Sequence, residues 1–150
     1  MKLTLNDLLS VPYVDGGRDL SGLDCYGQVW FARHHIIKRP LSRSYSHILC
    51  ANKVGMTEAF FAMLPHFESV PARHGAVGCC FKKDADGQDV LLHVGLVVLV
   101  DGQLKVLNTN AKSGPELMPL RTFNRLALDV RYYDDRHDPN LPQQTGQNQV

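Results

Sequence analysis

The spacing of apolar positions changes period near Pro71. Before it the period is helical. In "CYGQVWFARHHII", Val29, Trp30, Ala32, Arg33 and Ile36 or Ile37 fall at helical spacing and Pro40 stops the run, which predicts a helix over about 25–37. A second helical pattern, "GMTEAFFAMLPHF", offers Thr57 as N-cap, Glu58 in the first turn, and an apolar face of Ala59, Phe60, Met63 and Leu64. After Pro71 the period is that of strands. "AVGCCF" at 76–81 is short and apolar, and "KKDADGQD" is a polar turn. "VLLHVGLVVLV", "DG" and "QLKVLNTN" then read as a hairpin closed by a type I′ turn, and "LALDVRYY" at 126–133 reads as a further strand. The segment "PYVDGGRDLSGLD" is loop, and the polar stretch 137–150 reads as a disordered tail. Helices first and strands afterwards predict an α+β domain over 1–136, with one central helix packed on an antiparallel sheet.

Composition narrows the function classes. A chain of 150 residues forms one domain with a real core. Its 16 basic and 15 acidic residues nearly cancel, so no nucleic-acid or anionic-membrane footprint is expected. The N-terminus has no apolar signal core, and the longest apolar run, "VGLVVLV" at 94–100, is too short for a membrane span. A protein made in the cytoplasm follows, with Cys25, Cys50, Cys79 and Cys80 as free thiols.

One of those thiols stands where chemistry is expected. Cys25 opens the first predicted helix, among unpaired backbone N–H groups and at the positive end of the helix dipole. Such sites bring a thiol from about 8.5 down to roughly 3.5–7.5. The same N–H groups can hold an oxyanion, and Gly27 lets backbone or substrate come close. The alternative is a buried small hydrophobe. A base decides between them. His34 and His35 lie nearly two turns along the helix, His66, His74 and His137 sit in loop or tail, and His47 is uninformative. His93 interrupts an apolar strand, where an unpartnered polar group is costly.

The predicted turn at Asp101-Gly102 sets Val100 opposite Gln103. Continuing the ladder puts Gly95 opposite Asn108 and His93 opposite Asn110, with His93, Asn108 and Asn110 on one face. Gly95 leaves space there. An asparagine carbonyl beside the ring would hold the tautomer that serves Cys25. No metal is expected, since Cys79 and Cys80 point to opposite faces and no spaced Cys-His set accompanies them. No phosphate loop or dinucleotide fingerprint is present, and no cofactor is expected.

These residues resemble a known family. "VPYVDGGRDLSGLDCYGQVW", followed by "HVGLVV" and "VLN", is similar to the signature of the NlpC-type cell-wall peptidases, a branch of the papain-like cysteine peptidases. The resemblance runs from about residue 10 to 133. It implies Cys25 as nucleophile, His93 as base and Asn108 as the residue that orients the base, with Asn110 the alternative from the hairpin register. It further implies a substrate or oxyanion contact for Tyr13 and a pocket-shaping role for Asp24. The implied fold is papain-like, and the implied reaction is hydrolysis of a peptide-stem amide in peptidoglycan. Three departures stand out: Tyr26 replaces the serine usual after the nucleophile, "HGAVGCC" replaces a "GD" strand entry, and the 82–89 loop and the hairpin are long. Tyr26 makes the chain similar to phage tail-assembly members and reshapes the pocket. Tail proteins are then expected partners, and a phage tail the route to the wall. Two alternatives stand beside hydrolysis: acyl transfer by the same triad, and a non-catalytic tail-assembly protein built on the fold.

Overall fold

Two apolar clusters on opposite faces of one sheet organise the chain in the computed structural model, which describes residues 2–136. The tail at 137–150, and His137 with it, lies outside the described residues. In chain order the elements are a short helix α1 (Leu5–Leu8) and a two-stranded ribbon of β1 (Arg18–Asp19) and β2 (Gly22–Leu23). Then come helix α2 (Cys25–His35) and helix α3 (Lys53–Met63), the latter running into a 3-10 turn. The remainder is β3 (Phe67–Ser69), β4 (Val77–Lys83), β5 (Asp89–Val100), β6 (Gln103–Asn108), β7 (Glu116–Pro119), α4 (Leu120–Phe123) and β8 (Asp129–Asp135). Six strands form one sheet in the order β3-β8-β4-β5-β6-β7, every neighbour antiparallel. The fold class is therefore α+β with an antiparallel sheet. Among the described residues no helix is long and apolar enough to cross a membrane.

The period-two alternation of β4, β5 and β6 makes the two layers. Cys79, Phe81, Leu91, Val94, Leu96, Val98 and Leu107 pack in the cluster that includes Val29, Phe31 and Ala32 of α2. Ala76, Cys80, Val97 and Val106 pack on the other face around Phe123 of α4. Adjacent Cys79 and Cys80 thus fall in different layers.

The hairpin follows its turn chemistry. Asp101 (φ 50°) and Gly102 (φ 79°) both take the left-handed region, and Val100 pairs with Gln103 and Leu96 with Leu107. The register shifts further down. Cys80 pairs with His93 but Phe81 with Leu91, so Leu92 is an extra residue in a β-bulge beside His93.

Three expectations need correction. α3 begins at Lys53, because the Asn52 side chain caps it by accepting from Gly55 N at 2.9 Å. Thr57 lies inside that helix, where its hydroxyl donates to Lys53 O (2.7 Å) and accepts from Leu91 N (2.9 Å), tying α3 to β5. Of the α3 residues only Met56 is buried, so Ala59, Phe60 and Met63 form a half-covered face. The last strand begins at Asp129, since Leu126–Leu128 turn through solvent.

Candidate active site at the head of the cysteine helix

α2 begins at Cys25 because Asp24 caps it. Asp24 is extended (φ −88°, ψ −172°), and its Oδ1 accepts from Gly27 N at 2.7 Å. Gly27 has no Cβ for a reason of backbone: one built there would lie 2.2 Å from Gly17 O, so the 16–18 loop packs directly on the first turn. The rest of the Asp24 carboxylate is also taken. Oδ2 accepts from Gly16 N (2.8 Å), and Oδ1 also accepts from Arg18 Nη1 (2.7 Å). Asp24 therefore shapes the site by folding a loop over the helix head. Arg18 extends that clasp, since its Nε and Nη2 donate to Ser44 O (2.6 Å) and Tyr45 O (3.2 Å). Gly27 N and Gln28 N both donate to Asp24. The Cys25 and Tyr26 N–H groups are left as the donors available to an oxyanion.

The sulfur of Cys25, 3 % exposed, lies 3.7 Å from Cys50 Sγ on the segment between α2 and α3. Nothing in the sequence pattern pointed to Cys50. Its backbone N–H donates to Asp15 Oδ1 (2.9 Å), which fixes it over the helix head. Cys25 is held below the ordinary thiol value, first by the hydrogen bond from Cys50, with the Val94 backbone and the Lys53 charge acting the same way against burial and Asp24. Cys50 is pushed up because it keeps the proton it shares with Cys25, and by burial. Tyr13 joins this group. The 12–14 segment is strapped to β2 (Leu23 N to Pro12 O, 3.1 Å; Val14 N to Leu23 O, 3.3 Å), and burial together with its Cys50 contact pushes the phenol up. The clustered oxygens of Asp15 and Asp24 near Cys50 accept hydrogen bonds from Cys50 N, Gly16 N, Gly27 N and Arg18. They form a loop clasp.

His93 and Asn108 meet. The imidazole Nε2 is hydrogen-bonded to Asn108 Oδ1. A carbonyl oxygen only accepts, so Nε2 carries the proton and Nδ1 keeps its lone pair. Among the described residues nothing hydrogen-bonds Nδ1. Burial holds His93 below the ordinary imidazole value, Lys53 adds to this, and the Asn108 bond and Cys50 pull the other way. The ring is therefore neutral at neutral pH. Asn110, the alternative orienter, is corrected: it lies past the end of β6, and its Oδ1 accepts from Lys112 N and Ser113 N (both 2.9 Å) within a turn. The space beside Gly95 is also corrected, because Phe123 fills it. A Cβ at Gly95 would come within 2.8 Å of that ring, and the His93 ring is 6.2 Å from it between centroids.

Cys25 and His93 share the neighbourhood of β5, where the Val94 backbone acts on the sulfur, but among the described residues no hydrogen bond joins them. Tyr26 turns elsewhere. Its hydroxyl donates to Arg43 O (2.8 Å), its ring lies 5.4 Å beneath Arg18, and burial pushes it up to about 12. It lines an apolar cavity of about 90 Å³ with Met56, Phe60 and Met63, to which Cys25, His93 and Asn108 do not contribute. The Tyr26 side chain anchors the 42–45 loop.

Two further polar residues escaped notice in the sequence. Gln28, one turn beyond Cys25, and Thr109, next to Asn108, are buried, and among the described residues their Oε1 and Oγ1 have no hydrogen-bond partner. Such orphans cost about 1–3 kcal/mol each. Three of the other histidines serve structure: His34 Nδ1 meets Arg39 O (3.0 Å), His35 packs on Phe31, and His74 Nδ1 accepts from Leu99 N (2.9 Å). Comparison with protein-family models gives no match to this chain, and comparison with curated proteins gives none either.

Proposed function

We propose that the protein is a papain-like cysteine hydrolase of the NlpC type that cuts a peptide-stem amide of peptidoglycan and travels to the wall in a phage tail. One observation carries the reading. A thiol held below its ordinary value stands at the head of α2, beside the strand whose His93 is locked by Asn108 with no described residue on Nδ1. The substrate and the tail association come from the sequence resemblance.

In this mechanism Cys25 leaves its contact with Cys50 and turns toward His93 Nδ1. Hydrogen bonds of this kind tighten only when substrate is bound. His93 takes the proton as sulfur attacks the amide carbonyl, and the Cys25 and Tyr26 N–H groups hold the developing oxyanion. The imidazolium, oriented by Asn108, returns the proton to the leaving amine. Water then resolves the acyl-enzyme by the same base.

Purified reduced protein should release new amino groups from purified peptidoglycan, and Cys25→Ala should release none. Mass analysis of defined muropeptides then gives the bond. Equal release by wild type and Cys25→Ala contradicts the proposal.

A further inference from the structure

Three features outside the proposed mechanism could do chemistry: the apolar cavity under Tyr26, the half-exposed apolar face of α3, and the second thiol at the helix head. The two charged residues that line the cavity, Arg18 and Arg33, are already paired with Asp24 and Asp134, and nothing says what would cover α3. The thiol pair carries an inference. We propose that Cys25 and Cys50 form a reversible oxidation site, at which a hydroperoxide converts Cys25 to a sulfenic acid and Cys50 closes it into a disulfide.

The geometry is that of two sulfurs already in contact at 3.7 Å, brought together across 25 positions of sequence. A disulfide needs them at about 2.05 Å. Both backbones are held, Cys25 by the helix and Cys50 by Asp15, so the closing motion falls to rotation of the two side chains with a small shift of the segment that carries Cys50. That segment lies on the surface, where Cys50 is half-buried and flanked by exposed Leu49 and Ala51. The two remaining thiols are no competitors. Cys79 and Cys80 lie in different layers of the core, and burial pushes both up, Cys80 to about 11.

Each step balances. The Cys25 thiolate attacks one peroxide oxygen, the S–O bond forms, the O–O bond breaks and hydroxide leaves. Sulfur is oxidised by two electrons and the peroxide reduced by two. The Cys50 sulfur then attacks Cys25, the S–S bond forms, the S–O bond breaks, and the departing hydroxide takes the Cys50 proton as water. The two steps are linked by charge. Cys50 is held protonated first by the shared hydrogen bond, then by burial, then by the charge of Cys25. A neutral sulfenic acid removes that charge, and the Tyr13 contact, which favours the Cys50 thiolate, remains. Oxidising the first thiol therefore loosens the hold on the Cys50 proton, while burial stays as it was.

The consequence for activity rests on the hydrolase reading, since the disulfide occupies the nucleophile; the oxidation itself does not. Full-length reduced protein is treated with hydrogen peroxide, and the intact mass and the peptide map are read. The expected result is loss of two hydrogens, a peptide linking Cys25 to Cys50, and full reversal by dithiothreitol. Cys50→Ser should instead drive Cys25 to sulfinic and sulfonic acids under the same dose. Wild-type protein that accumulates those acids at Cys25, or that links neither thiol, overturns the proposal. A reversible Cys25–Cys50 link in a protein that leaves peptidoglycan uncut would sustain this site and sink the hydrolase; cleavage without the link would do the reverse.

Discussion

The two ends of α2 both carry a buried ion pair, yet they do different work. At the C-terminal end Arg33 donates to Asp134 (2.8 Å), Asp135 (3.1 Å) and Gly75 O (3.1 Å), while Arg39 and Arg73 also reach Asp134. The Arg33 and Asp134 side chains are 7 % and 3 % exposed. Every charge there has a partner, and the network clamps the helix to β8. At the N-terminal end Asp24 and Arg18 close the loop in the same way. Beyond that pair stand groups of another kind: a thiol met by the Cys50 thiol and the Val94 backbone but by no counter-charge bonded to it among the described residues, and an imidazole nitrogen that no described residue hydrogen-bonds. Saturated polarity reads as architecture; the unsaturated remainder reads as chemistry.

The largest effect expected from this contrast is on activity. Cys25→Ala should lower peptidoglycan cleavage by roughly 10⁴-fold or more, about 5 kcal/mol of barrier, while the melting temperature stays near wild type. Asp134→Ala should do the opposite. It strands Arg33 in the core and should cost about 3–5 kcal/mol in denaturant unfolding. Burial works against the Asp134 charge, but Arg39, the Asp135 N–H and Arg33 outweigh it and hold its carboxyl below the usual 3.8. The clamp's contribution is therefore complete at neutral pH. It falls once pH drops below about 3.8, where the unfolded carboxyl takes up its proton first.

Smaller effects sharpen the comparison at the helix head. Asn108→Ala frees the imidazole to rotate or change tautomer, and should reduce kcat by roughly 10²-fold, about 2.7 kcal/mol, with KM little changed. Because burial holds His93 below 6.5, the neutral base persists as pH falls through that value. The acid limb of kcat/KM should then lie below pH 6.5, and a limb above it would place His93 outside the reaction. Asp24→Asn keeps one acceptor oxygen for the cap but sets an amide N–H against a donor and discharges the pair with Arg18, and should cost about 1–3 kcal/mol of stability.

The parts legible from sequence are those written locally. The helical period from Cys25 onward gives the place of the thiol, and Asp-Gly between two strand patterns fixes the hairpin, while the Asp24 cap is seen only in the structure. What escaped is set by contacts between distant segments. Cys50 lies in a loop with no period and reaches Cys25 only because Arg18 and Asp15 hold that loop down. The bulge at Leu92 accompanies a ring that meets Asn108 instead of Asn110. The clamp of Arg33 on Asp134 spans 101 positions, and no local pattern announces it. β7 is four residues ending in a proline, too short to show alternation.

Titration of the four thiols by nuclear magnetic resonance, with isotope-labelled cysteine methylene carbons assigned by single serine substitutions, tests the central claim most directly and needs no reagent to reach the buried sulfur. Cys25 should lose its proton first, below the ordinary thiol value, and should shift upward in Cys50→Ala. A Cys25 that titrates with or after Cys79 and Cys80 would contradict an activated nucleophile at the head of α2.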